Sequence, residues 1–143
     1  WVDEFDNLVV TAGLNDLLDK TFKGSTYTAA WYVGLTAATP TFAAGDTMAS
    51  HGGWTENTTY DEANRQTLTL GTVSGCSVGN SASKADFTIS GSVTAGGAFI
   101  TTNNTKGGTT GTLYGGGAFS EGNRAVVDND TLSVTVTLTV TAS

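Results

Sequence analysis

The single histidine, His51, is the first residue whose type could support chemistry. Hydrolysis would require it beside an activated Ser or Cys, yet no Gly-x-Ser-x-Gly elbow is present and the serines sit in Gly/Thr-rich turns. A zinc site needs companion ligands, which one His and one remote Cys do not make. Loop packing or a surface hydrogen bond is the expected role of His51. Cys76 is the only cysteine, so no intrachain disulfide forms, and Ser74-Gly75-Cys76-Ser77 reads as a turn without an adjacent cation to activate the thiol.

Two acidic pairs stand out, Asp61 with Glu62 and Asp128 with Asp130. A glycosidase needs carboxylates facing one another across a cleft, and sequence neighbours on a turn do not supply that. Turn chemistry accounts for Asp128-Asn129-Asp130. A Ca²⁺ site drawing on distant carbonyls is the competing reading, although the spaced acidic loop of an EF-hand is missing. The run from Thr105 to Thr112, with Lys106-Gly107-Gly108, evokes a phosphate loop but lacks its residue order and lies between strands, so it reads as a hairpin. The expectation is a protein that is not an enzyme and carries neither cofactor nor metal.

Aromatic residues supply the remaining candidates. Trp54, Tyr60 and Tyr114 fall at loop or strand-end positions, where they could stack on a sugar ring or anchor a protein contact, with core packing as the competing role. Asn57-Thr58-Thr59, Asn103-Asn104-Thr105 and Asn129-Asp130-Thr131 match glycosylation acceptors, a pattern that arises readily by chance in a Thr-rich chain.

The elements that must position these residues are mainly strands. At 143 residues the chain has the size of one domain, and its 19 glycines, abundant Thr and Ser and single proline favour strands joined by turns. Formal charge is −7 with no basic cluster, which argues against nucleic acid and against an anionic membrane while leaving a basic protein surface compatible. No apolar run approaches the roughly 18 residues of a membrane span, and Trp1-Val2-Asp3-Glu4-Phe5 lacks the basic start of a signal peptide.

Residues 1–9 read as an N-terminal arm. A helix is expected over 10–23, with Val10, Leu14, Leu17, Leu18 and Phe22 in one apolar stripe, Asn15, Asp16, Asp19 and Lys20 facing away, and Gly24 ending it. From 27 to 141 the period changes to two. Ala29, Trp31, Val33 and Leu35 share one face of a first strand, and further strands are predicted over Gln66 to Val73, Ala85 to Ser90, Ala98 to Thr102, Thr110 to Tyr114 and Thr131 to Thr141. In the last of these Leu132, Val134, Val136, Leu138 and Val140 alternate with Ser or Thr. Residues 36 to 66 form the longest irregular stretch, with a short helical turn expected at Asp46. The predicted fold is an antiparallel β-sandwich or jelly-roll-like domain with one N-terminal α-helix.

Several segments resemble one family of small proteins encoded among the structural genes of tailed bacteriophages. They are Asn7-Leu8-Val9-Val10-Thr11-Ala12-Gly13-Leu14-Asn15, Ala30-Trp31-Tyr32-Val33-Gly34-Leu35, the stretch from Asp46 to Trp54, Asn80-Ser81-Ala82-Ser83-Lys84-Ala85, Ala98-Phe99, the stretch from Lys106 to Gly115, and Asp130-Thr131-Leu132. Together they span nearly the whole chain, and Gly115-Gly116-Gly117 is more glycine-rich than that pattern. The resemblance implies a capsid decoration or cement protein of the virion, often a homotrimer, that contacts the major capsid protein and braces the filled head. Trp1 and Phe5 with Asp3, Glu4 and Asp6 are the expected interface, because apolar residues flanked by acids ahead of the helix have no evident partner within the chain. The alternative is a tail-fibre or host-binding domain whose loops 36 to 66, carrying Trp54 and Tyr60, and 103 to 124 contact surface glycans.

Overall fold

A computed structural model describes residues 8–26 and 29–141. In chain order the elements are β1 (Leu8–Val9), α1 (Thr11–Phe22), β2 (Tyr32–Thr36), β3 (Glu56–Asn57), β4 (Gln66–Thr67), β5 (Ser77–Gly79), β6 (Ala85–Thr88), β7 (Val93–Ala95), β8 (Gly97–Thr101), β9 (Leu113–Ala118), β10 (Arg124–Val126), β11 (Thr131–Val134) and β12 (Thr137–Thr139). A six-stranded antiparallel sheet runs β1-β9-β8-β2-β3, with β4 also pairing β2, and three further antiparallel pairs join β10 to β7, β11 to β6 and β12 to β5. The architecture is mainly β with one helix, as the alternation predicts, and is consistent with a β-sandwich.

Strand pleating divides the apolar residues of the central strands β2 and β8 between two cores. Val33, Leu35, Ala98 and Ile100 point to the principal core, where Ala85, Phe87, Ile89, Leu132, Val134 and Val136 meet them from the second layer. Gly34 and Phe99 lie directly opposite one another on β2 and β8 and face the other way. A Cβ on Gly34 would sit 2.3 Å from the Phe99 ring, so the glycine makes the space in which that ring lies flat on the sheet. Here Val10, Met48, Trp54, Phe99 and Leu113 form a second, smaller core. Its lid is the irregular stretch between β2 and β3, folded down onto the sheet.

Several expected boundaries shift for identifiable reasons. The strand predicted at Thr110 starts at Leu113 and continues through Gly115-Gly116-Gly117. Its glycines allow close contact, since a Cβ would lie 2.3 Å from the Leu8 carbonyl oxygen at Gly115 and 2.3 Å from the Phe42 ring at Gly116. The strand predicted from Gln66 to Val73 ends at Thr67, although Leu68 remains buried. No helical turn forms at Asp46, whose carboxylate instead accepts hydrogen bonds from the Ala43 amide at 3.1 Å and the Trp54 indole at 3.2 Å. The helix ends as expected, with Gly24 in the left-handed region at φ +70°.

The long C-terminal strand divides into β11 and β12, which pair with β6 and β5 respectively. Residues 80–84 interrupt the partner ladder, and buried Asn80 bridges the gap. Its amide nitrogen Nδ2 donates to the Val134 carbonyl at 3.2 Å, and its Oδ1 accepts the Val136 amide at 2.6 Å. Leu132, Val134 and Val136 are buried as the alternation predicts, whereas Val140 is 75% exposed because the chain has passed the edge of the core.

Truncating Asn80→Ala leaves the buried Val136 N–H without its acceptor and takes one donor from the Val134 carbonyl, with a predicted loss of about 1–3 kcal/mol. Denaturant unfolding checks this, and a loss under about 1 kcal/mol would show the clamp to be dispensable.

Candidate interaction surface

Arg65, Glu56 and Lys106 point inward and weld loops together, whereas Cys76, Asp61, Asp128 and Asp130 are exposed. Arg65 is 2% exposed. Its Nε and Nη2 form a two-pronged pair with the Glu56 carboxylate at 2.9 and 2.7 Å, while Nη1 and Nη2 also donate to the Asn103 and Gly108 carbonyls at 2.9 and 2.7 Å. The guanidinium carbon lies 5.2 Å from the centre of the Phe99 ring, and Glu56 also accepts the Gly107 amide at 3.0 Å. Lys106 donates to the Tyr60 and Glu62 carbonyls at 2.7 and 2.8 Å and sits 4.4 Å above the Tyr60 ring. The run that evokes a phosphate loop is thus a hairpin tip bolted to residues 56–65.

His51 stacks on Trp54 with ring centres 3.7 Å apart, and its Nδ1 is 3.0 Å from the Trp54 carbonyl. Loop packing is therefore what it does. The two aromatic residues expected at a partner or glycan contact are core residues instead: Trp54 is 7% and Tyr60 2% exposed, held by Phe42 and Phe99 and by Phe87. Neither presents a stacking face: the folded lid carries Trp54 into the second core, and a bridge to Ile89 turns Tyr60 into the principal one. Asn57 is buried too, donating to the Thr94 carbonyl at 3.3 Å, so the first glycosylation match is closed. Trp1, Asp3, Glu4, Phe5 and Asp6 lie outside the described residues. Among the described residues no group of three or more His, Cys, Asp or Glu is placed to hold a metal ion, and no helix is long and apolar enough to cross a membrane.

Helix α1 is inverted relative to expectation. It docks through Gly13, where a Cβ would lie 2.6 Å from the Tyr114 carbonyl oxygen, so only glycine permits this approach. Val10, ahead of the helix, is buried and its amide donates to the Tyr114 carbonyl at 3.0 Å. At 100° per residue, anchoring Gly13 turns Asp16 and Lys20 toward the sheet and Leu14, Leu18 and Phe22 away from it. Asp16 and Lys20, predicted to face solvent, line a cleft of about 160 Å³ with Leu17, Thr21, Trp31 and Tyr114. Leu14, Leu18 and Phe22 are 47%, 54% and 80% exposed. Asp16 with Lys20 and Asp19 with Lys23 form i,i+4 ion pairs at 3.9 and 3.1 Å. The sequence gives the stripe but not its direction, because the deciding contact is a glycine against a strand about a hundred residues away.

Comparison with protein-family models, with curated proteins and with solved structures gives no match to this chain.

Arg65→Met should cost about 3–5 kcal/mol by leaving the Glu56 carboxylate without its cation, with much of that loss recovered when Glu56→Gln is added. A double-mutant cycle by chemical denaturation checks it, and additive losses would refute the coupling. Burial, reinforced by the Glu56 carboxylate, pushes the Tyr60 phenol well above its ordinary value, and among the described residues its oxygen has no hydrogen-bond partner. The folded chain then keeps a proton that the unfolded chain releases from about pH 10 upward, so stability is full below that pH and falls above it. Tyr60→Phe should flatten this alkaline limb in pH-dependent melting while leaving stability near pH 7 unchanged or higher. A loss above about 1 kcal/mol near pH 7 would contradict the assignment.

Proposed function

We propose that the chain is a structural protein of a tailed-bacteriophage virion and, within that class, a capsid decoration protein that braces the major capsid lattice from outside. The observation that carries the reading is the inverted helix. A row formed by Leu14, Leu18 and Phe22 faces solvent on an element that turns Asp16 and Lys20 toward the sheet, and such a row suits an apolar groove or flat patch on another protein. Covering Leu18 and Phe22 on a partner would contribute about 1.5–3 kcal/mol each before ordering costs. The resemblance supports the capsid assignment, and a net charge of −7 favours approach to a basic outer surface. Many equivalent weak contacts across a lattice would add to a stable coat.

Purified chain mixed with expanded capsids of the phage that encodes it should co-sediment to saturation and appear by electron microscopy at regular lattice positions. Leu18→Asp with Phe22→Asp should weaken that binding by at least about 30-fold while leaving the melting temperature within about 3 °C. Density found only at the tail, or equal binding by wild type and variant, would remove the reading.

A further inference from the structure

The ladder between β12 and β5 determines which backbone groups are left over. The Val140 amide donates to the Cys76 carbonyl at 2.9 Å and the Asn80 amide to the Val136 carbonyl at 3.1 Å, so even-numbered residues turn their backbone groups toward β5. Alternation in an antiparallel pair then directs the N–H and C=O groups of Thr137, Thr139 and Thr141 outward. All three residues are exposed, and among the described residues β12 has β5 as its one neighbour. The far side of β5 is closed by its own chain. Gly71 donates to the Gly79 carbonyl at 2.9 Å, and Ser74 and Ser77 exchange bonds at 2.9 and 3.0 Å.

Native sheets blunt an open edge with Lys, Pro or an inward charge. This edge has none of them. No charged side chain occurs from Gln66 to Ser83 or from Thr131 to Thr141, so the whole β5–β12 ribbon is uncharged in a chain of net charge −7. Two copies repel wherever their acids approach, and the ribbon is where they meet without that penalty.

We propose that β12 pairs antiparallel with β12 of a second copy across a two-fold axis. With Thr139 opposite itself, Thr137 lies opposite Thr141 and the outward groups of all three threonines are satisfied. Leu138 then lies opposite Val140 and covers a side chain left 75% exposed in the single chain. The pairing is isologous and closes after two copies. It is independent of the capsid reading and uses a different surface from α1. Its short length makes it weak in solution, and effective only where copies are held close together.

Sedimentation equilibrium up to about 1 mM chain, near the effective concentration of tethered copies, should show a reversible species of twice the 14.6 kDa chain mass. Association should tighten with added salt, because screening relieves the repulsion while the contact itself is uncharged. Thr139→Lys should raise the dissociation constant at least tenfold, as should Thr139→Pro, which removes an outward N–H that an edge strand can lose without unfolding. Far-UV circular dichroism establishes that each variant is folded. A chain monomeric throughout this range, an oligomer of other mass, or a dimer with the same dissociation constant in a folded Thr139→Lys chain would overturn the proposal.

Discussion

The guanidinium of Arg65 is the point on which the loop end of this fold depends. It lies against Phe99, whose ring rests on Gly34, and it reaches Glu56 on the edge strand and two carbonyls of the 103–108 hairpin. A buried cation is tolerable only where its donors are matched, and here one carboxylate and two carbonyls accept from it while a ring face receives the rest. Segments far apart in sequence are thereby fixed to one another and to the sheet. The irregular stretch ahead of Glu56 can then settle over Trp54 and Met48 as a second core instead of remaining an open loop.

How much of this was written in the sequence depends on the range of the interaction concerned. Alternation is local, so the strands holding Val33, Leu35, Phe87, Ile89, Leu132 and Val134 were legible, as was the helix ending before Gly24. The helix direction was not, because a stripe of Leu14, Leu18 and Phe22 reads alike whether it meets a core or solvent. Docking at Gly13 decides that, and its partner Tyr114 is remote. The break in the last strand was hidden for the same reason: Asn80, which clamps it, carries no local sign of what its side chain will hold. For the candidate site, the exposed apolar row was visible as residues but not as a surface, while Trp54 and Tyr60 read as loop aromatics because the lid that buries the first and the Ile89 bridge that buries the second are long-range contacts.

These features describe a chain whose polar side chains hold its interior together while apolar or uncharged strips remain outside. Glu56, Glu62, Asp46, Arg65 and Lys106 each bond backbone groups of other segments or one another's side chains. Outside lie the α1 row and the β12 edge, one suited to side-chain contact and the other to main-chain pairing.

The pairing of Leu8 with Gly116 and of Val9 with Gly115 has a consequence for the order in which the chain is made. On a ribosome, β1 and the helix after it are made ahead of the strand that receives them, which follows about a hundred residues later. Closure of so long a loop places their docking among the last steps of acquiring structure. Until Leu113–Ala118 clears the exit tunnel, the Gly13 face of α1 is uncovered in addition to its apolar row, which leaves both sides of the nascent helix open to a holding chaperone.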